Sequence, residues 1–426
     1  MTPIKYPSHV FRLRTVPEYW HLLGPGLTTG AADDDPSSIA TYSQTGAIYG
    51  FQLLWLAGFT FPLMAVAQEM CARIGLVTER GLAANIRLHF PAPVLYVCTL
   101  LLVAANTVTI GADLGAMAKA TQLVLPSLPF WVLLAIFGSL ITSLLIYSSY
   151  RRYSQILKIL ALALLSYLLS AVLSHLDWRQ VALHTFIPQT DFSKDQLILI
   201  CGILGNVLSP YMFFWQTAQE VEERQSAGPA KEVSDEDIKK MRVGVWSGMA
   251  FSNLIMYFVI ATCAGVLHAH GITNISSLAD AAQALRPFAG NATYLLFTLG
   301  IIGGGMLAVP VLAGSSAYAL SESFDAPNGL NRTLRTAPLF YGIVITSMLA
   351  GLTMNFLGID PVRSLTYSAI ANGFVAPVIL ATIVLLSSSK AVMGTRKSGP
   401  WVTRIGWIIS AILGISAIAA LYAFFS

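Results

Sequence analysis

Apolar stretches of about 20 residues, the length a helix needs to cross hydrocarbon, recur along the whole of this 426-residue chain. Charged residues make up only 11% of it, against about a quarter in soluble domains. An outer-membrane barrel would need segments of about ten residues with alternating hydrophobicity. Stretches such as Val132–Tyr147 and Ile159–Leu173 do not alternate. The chain therefore reads as an all-α membrane protein. Eleven spans are expected, at 21–46, 50–72, 95–120, 129–147, 156–174, 196–219, 244–267, 292–320, 338–356, 362–387 and 402–425. The first apolar segment is interrupted by acids and lacks a small-residue cleavage site, so no cleaved leader is expected.

Lys and Arg concentrate on the cytoplasmic side of membrane proteins. With the N-terminus inside, 20 of the 25 basic residues fall in inner segments; Lys119, Arg179, Lys194, Arg286 and Arg363 fall outside. That asymmetry predicts a multi-pass protein of a bacterial-type inner membrane, N-terminus cytoplasmic and C-terminus outside. The net charge of +4 then belongs to loops beside anionic lipid, and no nucleic-acid partner is expected. The partners are the bilayer and a transported ion, and the working expectation for assembly is a monomer. Cys71, Cys98, Cys201 and Cys263 show no metal-ligand spacing and read as small buried apolar residues. The polar stretch 220–242 reads as a solvated cytoplasmic loop, and His268 and His270 as outer-loop residues.

Two spans are broken in their middles. The first carries Gly30-Ala31-Ala32-Asp33-Asp34-Asp35-Pro36-Ser37-Ser38, the sixth Gly205-Asn206-Val207-Leu208-Ser209-Pro210-Tyr211. Proline removes a backbone donor and clashes with the preceding turn, so a helix opens there. Breaks five spans apart point to a transporter built of inverted repeats with its site where they meet. One polytopic domain, 1–426, would comprise a cytoplasmic N-terminus (1–20), a first repeat (21–174), a second (196–387) and an additional helix (402–425).

Each aspartate in mid-membrane costs about 2.5–3.5 kcal/mol on the insertion scale. Three together, simply added, would cost on the order of 8–10 kcal/mol. Neither broken span contains Lys or Arg. Such acids persist if they face water, a counter-charge or a bound cation. Asp35, directly before the helix-breaking proline, is the strongest candidate ligand, and opened backbone carbonyls can assist it. Asp33 and Asp34 read as acids of a water-filled vestibule that raise the local cation concentration.

These motifs resemble the NRAMP divalent-metal transporters. That family's first helix carries Asp-Pro-Gly-Asn, a bulky residue, Ala and Thr; Asp35-Pro36-Ser37-Ser38-Ile39-Ala40-Thr41 stands in its place, after Gly24-Pro25-Gly26. Gln68, Ala72-Arg73-Ile74-Gly75 and Thr78-Glu79-Arg80-Gly81-Leu82-Ala83 are similar to its second helix. Asp113-Leu114 matches a pair in the third helix and Leu312-Ala313-Gly314 a run in the eighth. The resemblance implies a LeuT-like 5+5 fold with helices 1 and 6 broken, and a divalent cation as cargo.

The departures concern the ligands. The family's sixth helix has Met-Pro-His, and Ser209-Pro210-Tyr211 replaces it; Ser38 replaces the first-helix asparagine. The resulting set, Asp35, Ser38, Asn206 and Ser209, offers oxygen and no sulfur. Oxygen donors suit Mg²⁺, Ca²⁺ and Mn²⁺, whereas thioethers suit softer metals. Loss of the sulfur resembles the magnesium-transporting branch of the family. The expected cargo is therefore Mg²⁺, then Mn²⁺, with no resident cofactor. Met212 either turns inward as a ligand or packs outward. Tyr211, Gln216, Ser368 and Asn372 are candidates for an outer shell. Asp113 is either a proton site or a partner of Asn106 or Lys119. The family's next acid on the third helix is replaced by Ala116, and Gln216 replaces a histidine, which makes a proton relay harder to build. The alternatives are an ordinary proton-coupled Mn²⁺/Fe²⁺ transporter, an amine or amino-acid transporter of the same architecture, and a passive channel. No hydrolase or metalloprotease motif is present, and an enzyme is not expected.

Overall fold

The computed structural model describes residues 24–191, 193–226, 228, 232–275, 277–357 and 361–425, without side chains at 151, 361–371, 373, 374 and 420–425. Among these residues the regular structure is helical throughout. The main helices are α1 (Pro25–Asp33), α2 (Pro36–Tyr49), α3 (Trp55–Thr78), α4 (Leu82–His89), α5 (Ala92–Val124), α6 (Phe130–Tyr147), α7 (Tyr150–Ala161) and α8 (Leu165–Leu173). They continue as α9 (Trp178–Phe186), α10 (Lys194–Val207), α11 (Pro210–Ser226), α12 (Asp235–Val266), α13 (Leu278–Ser323), α14 (Pro338–Phe356), α15 (Pro361–Ser388), α16 (Lys390–Met393) and α17 (Pro400–Phe425).

A helix overlies each of the eleven expected segments, but length and hydropathy alone do not yield eleven. Among the described residues eight helices satisfy both, or nine if Val375–Ser388 and Lys390–Arg396, bent by 60°, form one span. The first segment falls short because it is split into helices of 9 and 14 residues. The second, α3, carries Gln68, Glu69 and Arg73 in its last turns. The tenth counts only as part of the bent pair. Helix α13 satisfies both and kinks at Gly290 (φ 85°, ψ 173°), ahead of the eighth segment, a backbone conformation open essentially only to glycine.

The packing has the symmetry expected of two superposable halves. Span 3 (α5) packs on span 8 (α13). Span 7 (α12) packs on span 1 (α1 and α2), as span 2 (α3) packs on α11 of span 6. Span 9 (α14) lies on α5 as span 4 (α6) lies on α13; span 10 (α15) lies on α5 as α8 of span 5 lies on α13. Adding five to each span number turns each contact into its partner. The last helix, α17, packs on α15 and α10.

The tightest crossing joins α1 to α12. A Cβ at Gly30 would fall 2.2 Å from the Gly248 carbonyl oxygen, and one at Gly248 would fall 2.0 Å from that of Gly26. Small residues let the two backbones touch, as in close helix pairs within bilayers. The expected solvated loop at 220–242 is shorter than its polarity suggested. Helix α11 runs on to Ser226 and buries Glu220 and Glu222. Helix α12 then starts at a capping box, with the Asp237 amide donating to Ser234 Oγ at 3.2 Å and the Ser234 amide to Asp237 Oδ2 at 2.9 Å.

Candidate metal site

The first break follows from Pro36. A residue before proline is driven to extended backbone, and Asp35 adopts φ −67°, ψ 163°. It thereby becomes the N-cap of α2, with Pro36 as the first helical residue, a favoured arrangement. Its Oδ1 accepts from the Ser38 amide at 2.6 Å and from Ser37 Oγ at 2.7 Å. The C-terminal end of α1, with its partial negative charge, lies directly behind it.

The second break lies opposite. Helix α10 ends at Val207, and α11 restarts at Pro210. Ser209 Oγ donates to the Asn206 carbonyl at 2.7 Å and to that of Gly205 at 3.1 Å, occupying chain ends that the broken helix leaves open. Two hydrogen bonds tie the breaks together. Asn206 Nδ2 donates to Thr41 Oγ1 at 2.9 Å, and Tyr211 Oη donates to the Ala32 carbonyl at 3.0 Å.

Between the breaks lies a cavity of about 1290 Å³ lined by Asp35, Ser37, Thr41, Asp113, Asn206, Ser209, Tyr211 and Asn372, among others. Its deep residues Asp35, Asp113, Ser209 and Tyr211 are buried. Its rim, at Ile48, Lys119, Asp195, Asn274, Asp280 and Gln283, is exposed. The path therefore leads from one face of the protein to Asp35. On the other side of the breaks Gln68, Gln216, Gln219 and Glu220 are buried and do not line it.

The cavity brings together Asp35, Asn206, Ser209, Tyr211, Asn372 and Asp113 of the residues expected from sequence. Ser38 is buried and does not line it; Ser37 does. The N-cap geometry directs the Ser38 amide to Asp35 Oδ1 at 2.6 Å, with the Ser38 hydroxyl also beside that carboxylate. Asp33 and Asp34 are not vestibule acids. Both are buried and neither lines the cavity, because α1 packs its last turn against α12. Gln216 is likewise buried away from the cavity and donates to Glu220 Oε1 at 2.9 Å. The side chain of Ser368 lies outside the described residues. Asn106 donates to Ser315 Oγ, Ser316 Oγ and the Leu312 carbonyl, so it does not pair with Asp113. Among the described residues neither Asp113 carboxylate oxygen has a hydrogen-bond partner within bonding distance, with the Ser37 amide as a nearby donor. Met212 is buried and does not line the cavity. Cys201, half-buried, lies on the cavity wall, contrary to the expectation of a buried apolar residue. Ser37 and Thr41 were the residues sequence reasoning passed over; both lie on the first turns after Pro36, which the proline and the N-cap aspartate mark as facing the break. Among the described residues no three His, Cys, Asp or Glu side chains converge in metal-ligating geometry. The donors around Asp35 are instead hydroxyls and amides.

Two broken helices meeting at a buried carboxylate, at the end of a path from one face, define a membrane transporter of the inverted-repeat class. The chain belongs to the Nramp family: the profile for natural resistance-associated macrophage protein-like sequences matches residues 26–423. It is 27% identical to the divalent metal cation transporter MntH of Deinococcus radiodurans, covering 92% of this chain and 87% of that one. It is 26% identical to MntH of Pectobacterium carotovorum, covering 92% of each. Its fold is similar to that of the Eremococcus coleocola manganese transporter (TM-score 0.73, 19% identity, 96% of this chain and 88% of that one). The nucleobase-cation-symport-1 family transporter Mhp1, in a closed conformation, is more distant (TM-score 0.58, 14% identity, 94% and 92%).

Proposed function

We propose that this protein imports a divalent metal cation by alternating access and favours hard ions, Mg²⁺ before Mn²⁺. One observation carries the reading: Asp35 sits where α1 ends and α2 begins, deep in a cavity whose nearby donors, Ser37, Thr41, Asn206 and Ser209, all offer oxygen. Asp35, Asn206 and Ser209 are the proposed ligands. Ser37 takes the ligand place expected of Ser38, whose amide holds the carboxylate in position. Mg²⁺ gives up its waters reluctantly and is usually held by one or two carboxylates plus water. A cavity of this size accommodates a partly hydrated ion. Tyr211 and Asn372 form the surrounding polar shell.

The relatives named for divalent metal and manganese transport support the cargo's class and keep Mn²⁺ as the second reading. Against proton coupling stand Ala116, Gln216 and Tyr211 in place of titratable groups. A dication gains about 4.6 kcal/mol per 100 mV, twice the single-charge value, which suffices as a driving force. The rim residues Lys119, Asp195 and Asp280 fall in segments that the Lys/Arg distribution assigns to the outside. We therefore read this conformation as outward-open, in a bacterial inner membrane, with the N-terminus cytoplasmic and the C-terminus outside. Residues 21–174 and 196–387 form the two halves that move against each other, and one chain suffices for transport.

The test is uptake into proteoliposomes of Mg²⁺, Mn²⁺, Ca²⁺ and Cd²⁺ in parallel, at fixed potential, with internal pH recorded. Saturable Mg²⁺ uptake without acidification is expected. A strong Cd²⁺ preference would refute the hard-ligand reading, and uptake matched by acidification would restore proton coupling.

A further inference from the structure

Asp33 and Asp34 form a second acidic centre, separate from the cavity. Asp33 Oδ2 accepts from Ser252 Oγ of α12 at 3.1 Å. Among the described residues Asp33 Oδ1 and both carboxylate oxygens of Asp34 are buried with no hydrogen-bond partner within bonding distance, the Ser252 hydroxyl lying near Asp34 as well. Neither acid forms an ion pair with a Lys or Arg among the described residues. The Tyr167 hydroxyl on α8 is also buried without a partner among the described residues, and that of Tyr42 on α2 is buried with only the Ser38 hydroxyl near it. Tyr42 lies within electrostatic reach of both acids, and Tyr167 within reach of Asp34.

The wall behind them is a run of glycines on α13. A Cβ at Gly304 would fall 2.7 Å from the Asp34 main-chain oxygen, and one at Gly300 would fall 2.4 Å from Tyr167 Cζ and 2.9 Å from Ser166 Oγ. One glycine face thus admits both the Asp34 backbone and the Tyr167 ring, a single turn apart. Buried polar atoms without partners are rare in native proteins, and each calls for an explanation such as an ion. Buried charge is stable only when paired or bound to metal. The carboxylates and hydroxyls of this centre are oxygen donors, the set that hard cations prefer, with the Cys263 thiol beside Tyr167 at its edge.

We propose that Asp33, Asp34, Ser252, Tyr167 and the Asp34 carbonyl form a second site for a hard cation, independent of the Asp35 site. Its donors come from α1, α8 and α12, and α13 closes it from behind. A bound ion would hold the end of α1 against these three helices. It would thereby stabilise the conformation in which the first break faces the cavity.

The test uses the purified full chain in nanodiscs, with the cavity carboxylate removed by Asp35→Ala. Equilibrium dialysis with radioactive Na⁺, K⁺ (as Rb⁺), Ca²⁺ and Mn²⁺ distinguishes a monovalent from a divalent occupant. One saturable equivalent of one of these ions is expected in Asp35→Ala. Adding Asp34→Asn should weaken it about 100-fold and adding Tyr167→Phe about tenfold, the range seen when metal-site groups are lost. The same ion should raise the unfolding temperature of Asp35→Ala and not that of Asp35→Ala/Asp34→Asn. If Asp34→Asn does not yield folded protein, Tyr167→Phe decides, since it removes one hydroxyl and no charge. No saturable binding of any of the four ions to Asp35→Ala, or binding insensitive to both second substitutions, overturns the proposal.

Discussion

Asn206 Nδ2 donates to Thr41 Oγ1 across 2.9 Å, joining the last turn of α10 to the first turns of α2. The two residues are 165 positions apart, one on each side of the cavity. This bond links the two breaks directly, so it is a candidate to report their relative position during transport. Replacing Thr41 by Val keeps the shape and removes the acceptor. A lost hydrogen bond of this kind costs about 1 kcal/mol, or about fivefold in an equilibrium. Uptake by Thr41→Val should fall by about that factor, measured as initial rate in proteoliposomes at subsaturating Mg²⁺.

Asp35 should be far more sensitive. Removing one partner of a buried charge pair costs about 3–5 kcal/mol, which exceeds a hundredfold in affinity. Asp35→Asn retains the N-cap acceptor, because asparagine caps helices as well as aspartate does. Binding measured by calorimetry should therefore drop beyond detection while the protein stays monodisperse. Tight Mg²⁺ binding by this variant would remove Asp35 from the site.

Ser209→Met tests why the cavity favours hard ions. The substitution restores a thioether at the second break, and soft ligands select soft metals. Competition of Cd²⁺ against Mg²⁺ uptake should strengthen by about tenfold or more, an added ligand being worth at least 1.4 kcal/mol. Unchanged competition would show that Ser209 does not face the ion.

Backbone contact between α1 and α12 leaves no room for a methyl group at Gly248, whose Cβ would lie 2.0 Å from the Gly26 oxygen. Overpacking of this kind costs about 1–3 kcal/mol or more. Gly248→Ala should lower the unfolding temperature in detergent. Gly205→Ala, where nothing lies within 4 Å of the new Cβ, should leave it unchanged.

The cavity also predicts sidedness. Cys201 is half-buried on its wall, whereas Cys71, Cys98 and Cys263 are buried. A membrane-impermeant thiol reagent applied from outside should modify Cys201, and mass spectrometry should find the other three unmodified. Labelling from the cytoplasmic side alone would reverse the orientation proposed above.

The opposite face is held by Glu69 on α3. Its Oε1 accepts from Arg73 Nη2 at 2.8 Å and from Arg242 Nε and Nη2 at 2.9 and 2.8 Å, and its Oε2 from Trp246 Nε1 at 2.9 Å. This network joins α3 to α12 where the cavity is closed. Neither the arginines' convergence nor the role of Trp246 is visible in the spacing of these residues along the chain.

Two prolines were enough to place both breaks, and hydrophobic length marked eight or nine of the spans among the described residues, because hydrocarbon forces every backbone group into a helix and proline then opens that helix locally. They also singled out Asp35, since the residue before a proline cannot continue the helix. What local sequence could not decide is which way each acid turns. Asp33, Asp34 and Asp35 are adjacent and chemically identical, yet one lines the cavity and two lie behind it. The difference arises from contacts with α12 and α13, more than 200 residues away. Likewise Ser37 rather than Ser38 faces the cavity, because the Asp35 cap sets the phase of α2 while α10 and α11, across the cavity, decide which of its faces is open.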